Sequence, residues 1–230
     1  MRGIVLACGN AGHDVESRVI AQRDEFGVRH VAERPGKAEV DPVLDELGDQ
    51  RLVVVGTDAD LAAVALRLLR TERVADVPVA YVPVSGRSEV ASLWRLPTDP
   101  RRAVDLALTG EPDRVPLIRD DVGGVLVGLG TMGPVRGVAY CDDENVLRGQ
   151  ATRIEVRPDP EGGPGLVVRV VNRRLIGTRA EETAGRAFQI GLLPASVVSD
   201  GVAHPRPMTK WTYYRHTEDL RLVRGLAGGR

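Results

Sequence analysis

The first hundred residues alternate short unbroken apolar runs with segments whose apolar positions recur every three or four residues. Runs at Gly3–Cys8 (GIVLAC), Arg51–Val55 (RLVVV) and Val79–Val84 predict strands, with a weaker one over Val28–Ala32. Their continuous rather than alternating character predicts parallel strands covered on both faces. In Asp58–Arg70 the residues Leu61, Val64, Ala65, Leu68 and Leu69 fall on one stripe, which predicts a helix. Ala38–Leu47, Glu89–Arg95 and Arg101–Leu108 predict shorter helices, the last following Pro100. Alternation of this kind points to an α/β domain built on a parallel sheet.

From about Asp113 the texture changes to short strands separated by turn residues. Strands are predicted over Val122–Leu129, Ala151–Val156, Leu166–Val171, Ala187–Leu193 and Ala195–Val198, and PDPEGGPG at 158–165 predicts the long loop of a hairpin. The fold expected is α/β plus β: a Rossmann-like lobe over residues 1–112 and an antiparallel β-rich lobe over 113–230. WTYYRHTE at 211–218 holds three of the eight aromatic residues of the chain, with Trp211 and Tyr213 on one face of a predicted strand and Tyr214 on the other. Packing of that strand into the β core is favoured over a ligand face.

Composition narrows the functional classes. The chain has 230 residues, 31 basic and 32 acidic, and a net charge of -1. No general attraction for nucleic acid or an anionic membrane follows from such a balance, so any anion site must be local. Cys8 and Cys141 have no CxxC spacing, and the acidic run Asp142, Asp143, Glu144 reads as a solvated turn rather than a metal loop. No metal ligand set is assigned. No stretch approaches the ~18 apolar residues of a membrane span, and the expectation is a cytoplasmic protein.

Two loops carry the candidate chemistry. RLVVVGTDADLAAVALRLLR runs from a buried strand through Gly56, Thr57 and Asp58 directly into a helix, which puts backbone N–H groups at the carboxyl end of a parallel strand, where phosphates bind in open α/β sheets. The same string also suits an ordinary strand-to-helix turn capped by Thr57 or Asp58. VPVSGRSEVASLWRLP repeats the pattern, with Ser85, Gly86, Arg87 and Ser88 between Pro83 and a helix that starts near Glu89. Loops at neighbouring strand ends would face each other across a cleft.

In these stretches the chain resembles the catalytic domain of the diacylglycerol kinase family, grouped with sphingosine and NAD kinases. GTDAD at 56–60 stands where that family has GGDGT, P-V-SGRSE at 83–89 where it has P-x-GTGND, and Asp200–Gly201 where it has a DGE turn. The resemblance implies a nucleotide-binding first lobe, ATP and Mg as cofactors, and phosphorylation of a lipid hydroxyl, with Asp200 or Asp58 as base or metal-side carboxylate. It further implies that Gly56, Thr57, Asp58, Ala59, Asp60, Ser85, Gly86, Arg87, Ser88 and Glu89 contact the nucleotide. A lipid ligand, peripheral membrane contact and a homo-oligomer are compatible with it; nucleic acid is not expected.

The signature residues have nevertheless changed. Thr57 and Ala59 add Cβ atoms where glycines stood, Asp60 puts a carboxylate in place of a hydroxyl, and Val202 replaces the Glu of the DGE turn. Activity is therefore expected to be weak or lost, the alternative being an inactive homologue that binds nucleotide, lipid or protein as a regulator.

Overall fold

The computed structural model describes residues 3–20, 26–173 and 177–225. They divide into two compact units, one formed by the described residues up to Val115 together with those from Glu218 onward, the other by Pro116–Thr217.

In the first unit β1 (Gly3–Cys8), β3 (Arg51–Gly56) and β4 (Val79–Pro83) are buried at every position, and β2 (Phe26–Val31) is half-exposed. Between them run α1 (Gly9–Val19), α2 (Lys37–Leu47) and α3 (Asp58–Arg70); α4 (Glu89–Trp94), α5 (Pro100–Thr109) and β5 (Pro112–Val115) follow. β2, β1, β3 and β4 lie side by side, all parallel. Val5, Val53, Val55, Ala80 and Val82 pack with Ile20 and with Ala103, Val104 and Ala107 of α5. α2 and α3 contact each other and bury Val40, Val43, Leu44, Leu61, Val64 and Leu68. The guanidinium of Arg51, buried at the start of β3, donates to the carbonyls of Ala107 and Gly110 and so closes the carboxyl end of α5.

The second unit holds two six-stranded antiparallel sheets. Its strands are β6 (Ile118–Asp120), β7 (Val125–Leu126), β8 (Gly130–Met132), β9 (Val135–Cys141), β10 (Glu144–Ala151), β11 (Arg153–Pro158), β12 (Leu166–Arg173), β13 (Thr178–Gly185), β14 (Ala187–Ala195), β15 (Val197–Ser199), β16 (Val202–Ala203) and β17 (Met208–Arg215). The sheet orders are β10-β9-β14-β17-β6-β7 and β13-β12-β11-β8-β15-β16. Ala139, Phe188, Ile190, Trp211 and Tyr213 from the first share one core with Ile154, Val156, Leu166, Val168 and Val197 from the second, as in a β-sandwich. The 158–165 hairpin forms as expected, with Pro158 paired to Leu166. Trp211 and Tyr213 are core residues, the packing role favoured from the sequence.

The chain then returns. β18 (Leu220–Val223) pairs parallel with β4 and antiparallel with β5, completing the first sheet. The sequence boundary that assigned everything after 113 to the β-rich lobe thus differs from the structure at both ends, since β5 and β18 belong to the first sheet. LRLV lacks the length that marks β1 or β3, and its place is set by contacts distant in sequence: Leu220, Leu222 and Val223 are buried, Arg224 pairs with Asp113 at 3.1 Å, and its guanidinium lies over the Trp94 ring. α1 also escapes prediction, because GNAGHDVESRV carries no apolar stripe beyond Val15 and Val19.

Leu222→Ala should destabilise the protein by about 2–5 kcal/mol, the usual cost of truncating a buried leucine. Hydrogen exchange should show the loss of protection in β4 and β5 with the sandwich strands spared; a loss confined to the sandwich would contradict the assignment of β18.

Candidate functional site

β3 and β4 run in register, with Gly56 opposite Pro83, so the loops that follow them emerge side by side from the sheet. Each loop is an N-cap. Thr57 Oγ1 accepts from the Asp60 amide at 3.3 Å while Asp60 Oδ2 accepts from the Thr57 amide at 2.7 Å, a reciprocal capping box. Ser88 Oγ accepts from the Ala91 amide at 2.9 Å at the head of α4.

Asp60 is 1% exposed. Besides the Thr57 amide its carboxylate takes the Thr57 hydroxyl at 2.8 Å and the Arg34 amide at 2.6 Å, tying the end of β3 to the segment after β2. This inward turn explains Gly56: a Cβ there would come within 2.6 Å of Asp60 Oδ2 and 2.9 Å of Asp60 Cβ. The glycine makes room for the protein's own carboxylate.

Asp58 joins the two loops. Its Oδ1 accepts from the Ser88 hydroxyl at 2.5 Å and the Tyr81 hydroxyl at 2.9 Å, and its Oδ2 accepts from the amides of Glu89 at 2.7 Å and Val90 at 3.3 Å. Burial, followed by the charge of Asp58, pushes the Tyr81 phenol well above its ordinary range, so Tyr81 remains a donor. The loops are therefore bridged by a side chain where the sequence predicts an open cleft between them. Ser85, Gly86, Arg87 and Glu89 are exposed, and a Cβ at Gly86 would meet nothing within 4 Å. Ala59 is half-buried beside them.

Asp200 lies in the sandwich unit, 4% exposed and with a positive φ of 48°. Its carboxylate accepts from the amides of Val127 at 2.9 Å, Gly128 at 2.8 Å and Leu129 at 3.0 Å, and its own amide donates to the Leu129 carbonyl. That arrangement holds the 127–129 segment in place, and it gives the retained aspartate of the DGE-like turn a structural task. A base needs an oxygen presented to a substrate hydroxyl.

The donor sets do not suit ATP or Mg at these positions. Mg²⁺ takes carboxylate and water oxygens in a near-ideal octahedron. Asp58, Asp60 and Asp200 instead turn their oxygens to protein donors, and no group of three or more potential metal ligands occurs among the described residues. A phosphate seeks backbone amides at a helix head, but those of Thr57, Glu89 and Val90 already serve carboxylates. The thiols offer no nucleophile either. Cys8 is buried and pushed up by desolvation, then by Asp60 and Glu39, and Cys141 is pushed up to about 11 by burial, then by Asp142 and Glu144.

Sequence reasoning did not single out Tyr81, Arg34 or the 127–129 amides. The phenol of Tyr81 in an otherwise aliphatic buried strand is a legible signal, whereas backbone amides leave none. The acidic run at 142–144 turns β9 into β10, and Asp142 accepts from the amides of Arg186 and Ala187.

No family model matches the sequence, and no curated protein matches it. Solved structures do. The fold matches a diacylglycerol kinase from Bacillus anthracis str. Sterne with a TM-score of 0.73 at 12% identity, over 98% of each chain. It matches an NAD kinase from Archaeoglobus fulgidus, solved in complex with ATP, with a TM-score of 0.60 at 15% identity, over 98% of this chain and 94% of that one. A yeast NADH kinase complexed with NADH matches with a TM-score of 0.54 at 9% identity, over 97% and 83%. The fold is that of diacylglycerol and NAD kinases, and no helix among the described residues is long and apolar enough to cross a membrane.

Gly56→Ala should cost about 1–3 kcal/mol by forcing the new Cβ against Asp60. In an Asp60→Gly background most of that cost should disappear, and additive costs in urea denaturation would show that Gly56 is not there to accommodate Asp60.

Proposed function

We propose that this protein keeps the kinase fold without phosphoryl transfer and works as a binding or regulatory protein. The observation that carries the reading is the occupation of the Thr57, Glu89 and Val90 amides by Asp60 and Asp58. Phosphoryl transfer depends on positioned donors and metal-held phosphates. A phosphate arriving at this edge would have to displace carboxylates already satisfied by backbone. Leaving such a buried charged group without its partners costs at least ~3 kcal/mol, or more than a hundredfold in affinity.

A second reading is a lipid kinase of low activity, favoured by the fold shared with the Bacillus anthracis enzyme. In it, ATP and Mg meet Gly56–Asp60 and Ser85–Glu89, with Asp58 or Asp200 as base. It requires the carboxylates to swing away from their present donors, which strips the acceptor from the Glu89 and Val90 amides at the head of α4 and removes the brace on residues 127–129.

Thermal unfolding with ATP, with and without Mg, separates the two. Binding to the native state alone raises stability by about 2.7 kcal/mol at a hundredfold excess over Kd. The proposal predicts no saturable shift and no ADP release in the presence of diacylglycerol. It further predicts that a variant combining Thr57→Gly, Ala59→Gly and Asp60→Thr, which frees the Thr57 amide from its carboxylate, gains an ATP-dependent shift. A saturable shift and turnover in the wild type, lost or unchanged in that variant, would establish the second reading.

A further inference from the structure

The sandwich unit carries a surface hollow remote in sequence from the two loops. It has a volume of about 530 Å³, within the roughly 300–1,000 Å³ of small-molecule sites. Arg136 of β9 and Arg173 at the end of β12 are among its lining residues, as are Gln150 and Asn172. No acidic side chain lines it, and neither guanidinium has a carboxylate partner among the described residues. Arg153, Arg157, Arg169 and Arg179 on nearby strands pair with glutamates instead.

The strand ladder fixes the cationic rim. Gln150 lies opposite Arg136 in the β9–β10 register, and the Arg173 amide donates to Thr152 Oγ1 at 2.9 Å, which anchors the end of β12 at the β10–β11 turn. The lining also has an apolar part: Leu193 is 61% exposed and Pro194 follows it. A second hollow of about 200 Å³ shares Pro134 and Thr152 with the first and is lined besides by Met132, Val198 and Arg153, the last paired with Glu155.

Two unpaired guanidiniums and two side-chain amides suit an anionic head group, since forked donors match carboxylate and phosphate oxygens. Exposed charges alone hold a free anion weakly in water. The apolar wall supplies the remaining contact, at about 25 cal/mol per Å² of apolar surface covered. We propose that this hollow binds a small amphiphilic anion, a phosphate or carboxylate carried on an alkyl chain, with the head between Arg136 and Arg173 and the chain along Leu193 and Pro194. The site is independent of the nucleotide question, because no residue of the two loops enters it.

Calorimetric titration with decyl phosphate and with decanoate, each below its micelle concentration, tests the proposal, with inorganic phosphate and 1-decanol as the two halves of the ligand. Saturable one-to-one binding of at least one amphiphile is expected, with both halves weaker by about tenfold or more. Arg136→Gln with Arg173→Gln should weaken the amphiphile by about tenfold or more, the loss of charge-assisted bonds, and Leu193→Asp should do likewise. These positions are exposed, so the melting temperature should stay at the wild-type value, which separates loss of the site from loss of the fold. Absence of binding, binding unchanged in the arginine variant, or inorganic phosphate binding as tightly as decyl phosphate would each overturn it.

Discussion

A single carboxylate, that of Asp58, receives two hydroxyls and two backbone amides, and through it the ends of β3 and β4 become one piece. The same device recurs through the chain. Asp60 takes the amides of Thr57 and Arg34, Asp200 those of residues 127–129, Asp120 those of Val122 and Gly124, and Asp142 those of Arg186 and Ala187. Amides at helix heads and tight turns have no partner within their own element and must find one. In this protein, aspartates supply it. For the buried Asp60 and Asp120, several N–H donors stabilise the charge at once.

That solution has a functional consequence at the sheet edge. Diacylglycerol and NAD kinases share this fold, and a helix head at the carboxyl end of a parallel strand is a natural place for phosphate. The same physics makes the place suitable for a carboxylate. Once Asp58 and Asp60 sit there, the amides, the caps of α3 and α4 and the close packing at Gly56 depend on one another, and an external anion competes with an internal one held at no translational cost. In the proposed function fold and activity separate at this point: β3, β4 and their helices persist while the amides that could meet a phosphoryl group are engaged.

Much of the first unit was legible because burial on both faces writes itself as uninterrupted apolar runs: β1, β3 and β4 fall where GIVLAC, RLVVV and VAYVP stand, and α3 where its stripe lies. The hairpin across 158–165 was legible from its turn residues. β13 was not, since TRAEETAG is exposed at nearly every position and is held by its ladder to β12 and by Arg169 and Arg157 meeting Glu182. β18 was not, since four residues decide nothing until β4 and β5 are already in place. At the site, the strand-loop-helix geometry and the capping role of Thr57 were legible. The inward turn of Asp60 was not, because its partners are backbone amides, one of them at Arg34, 26 residues away in sequence. A Thr-Asp-Ala-Asp string reads alike whether its carboxylates face solvent or the chain.

Residue-resolved amide hydrogen exchange at Thr57, Glu89 and Val90 measures the central claim directly, with and without ATP. Internal carboxylates holding these amides predict protection comparable to that of the helices they cap, in the absence of any ligand and unaltered by ATP. Rapid exchange at all three in the free protein, slowed when ATP is added, would contradict the account by showing amides left open for a phosphate.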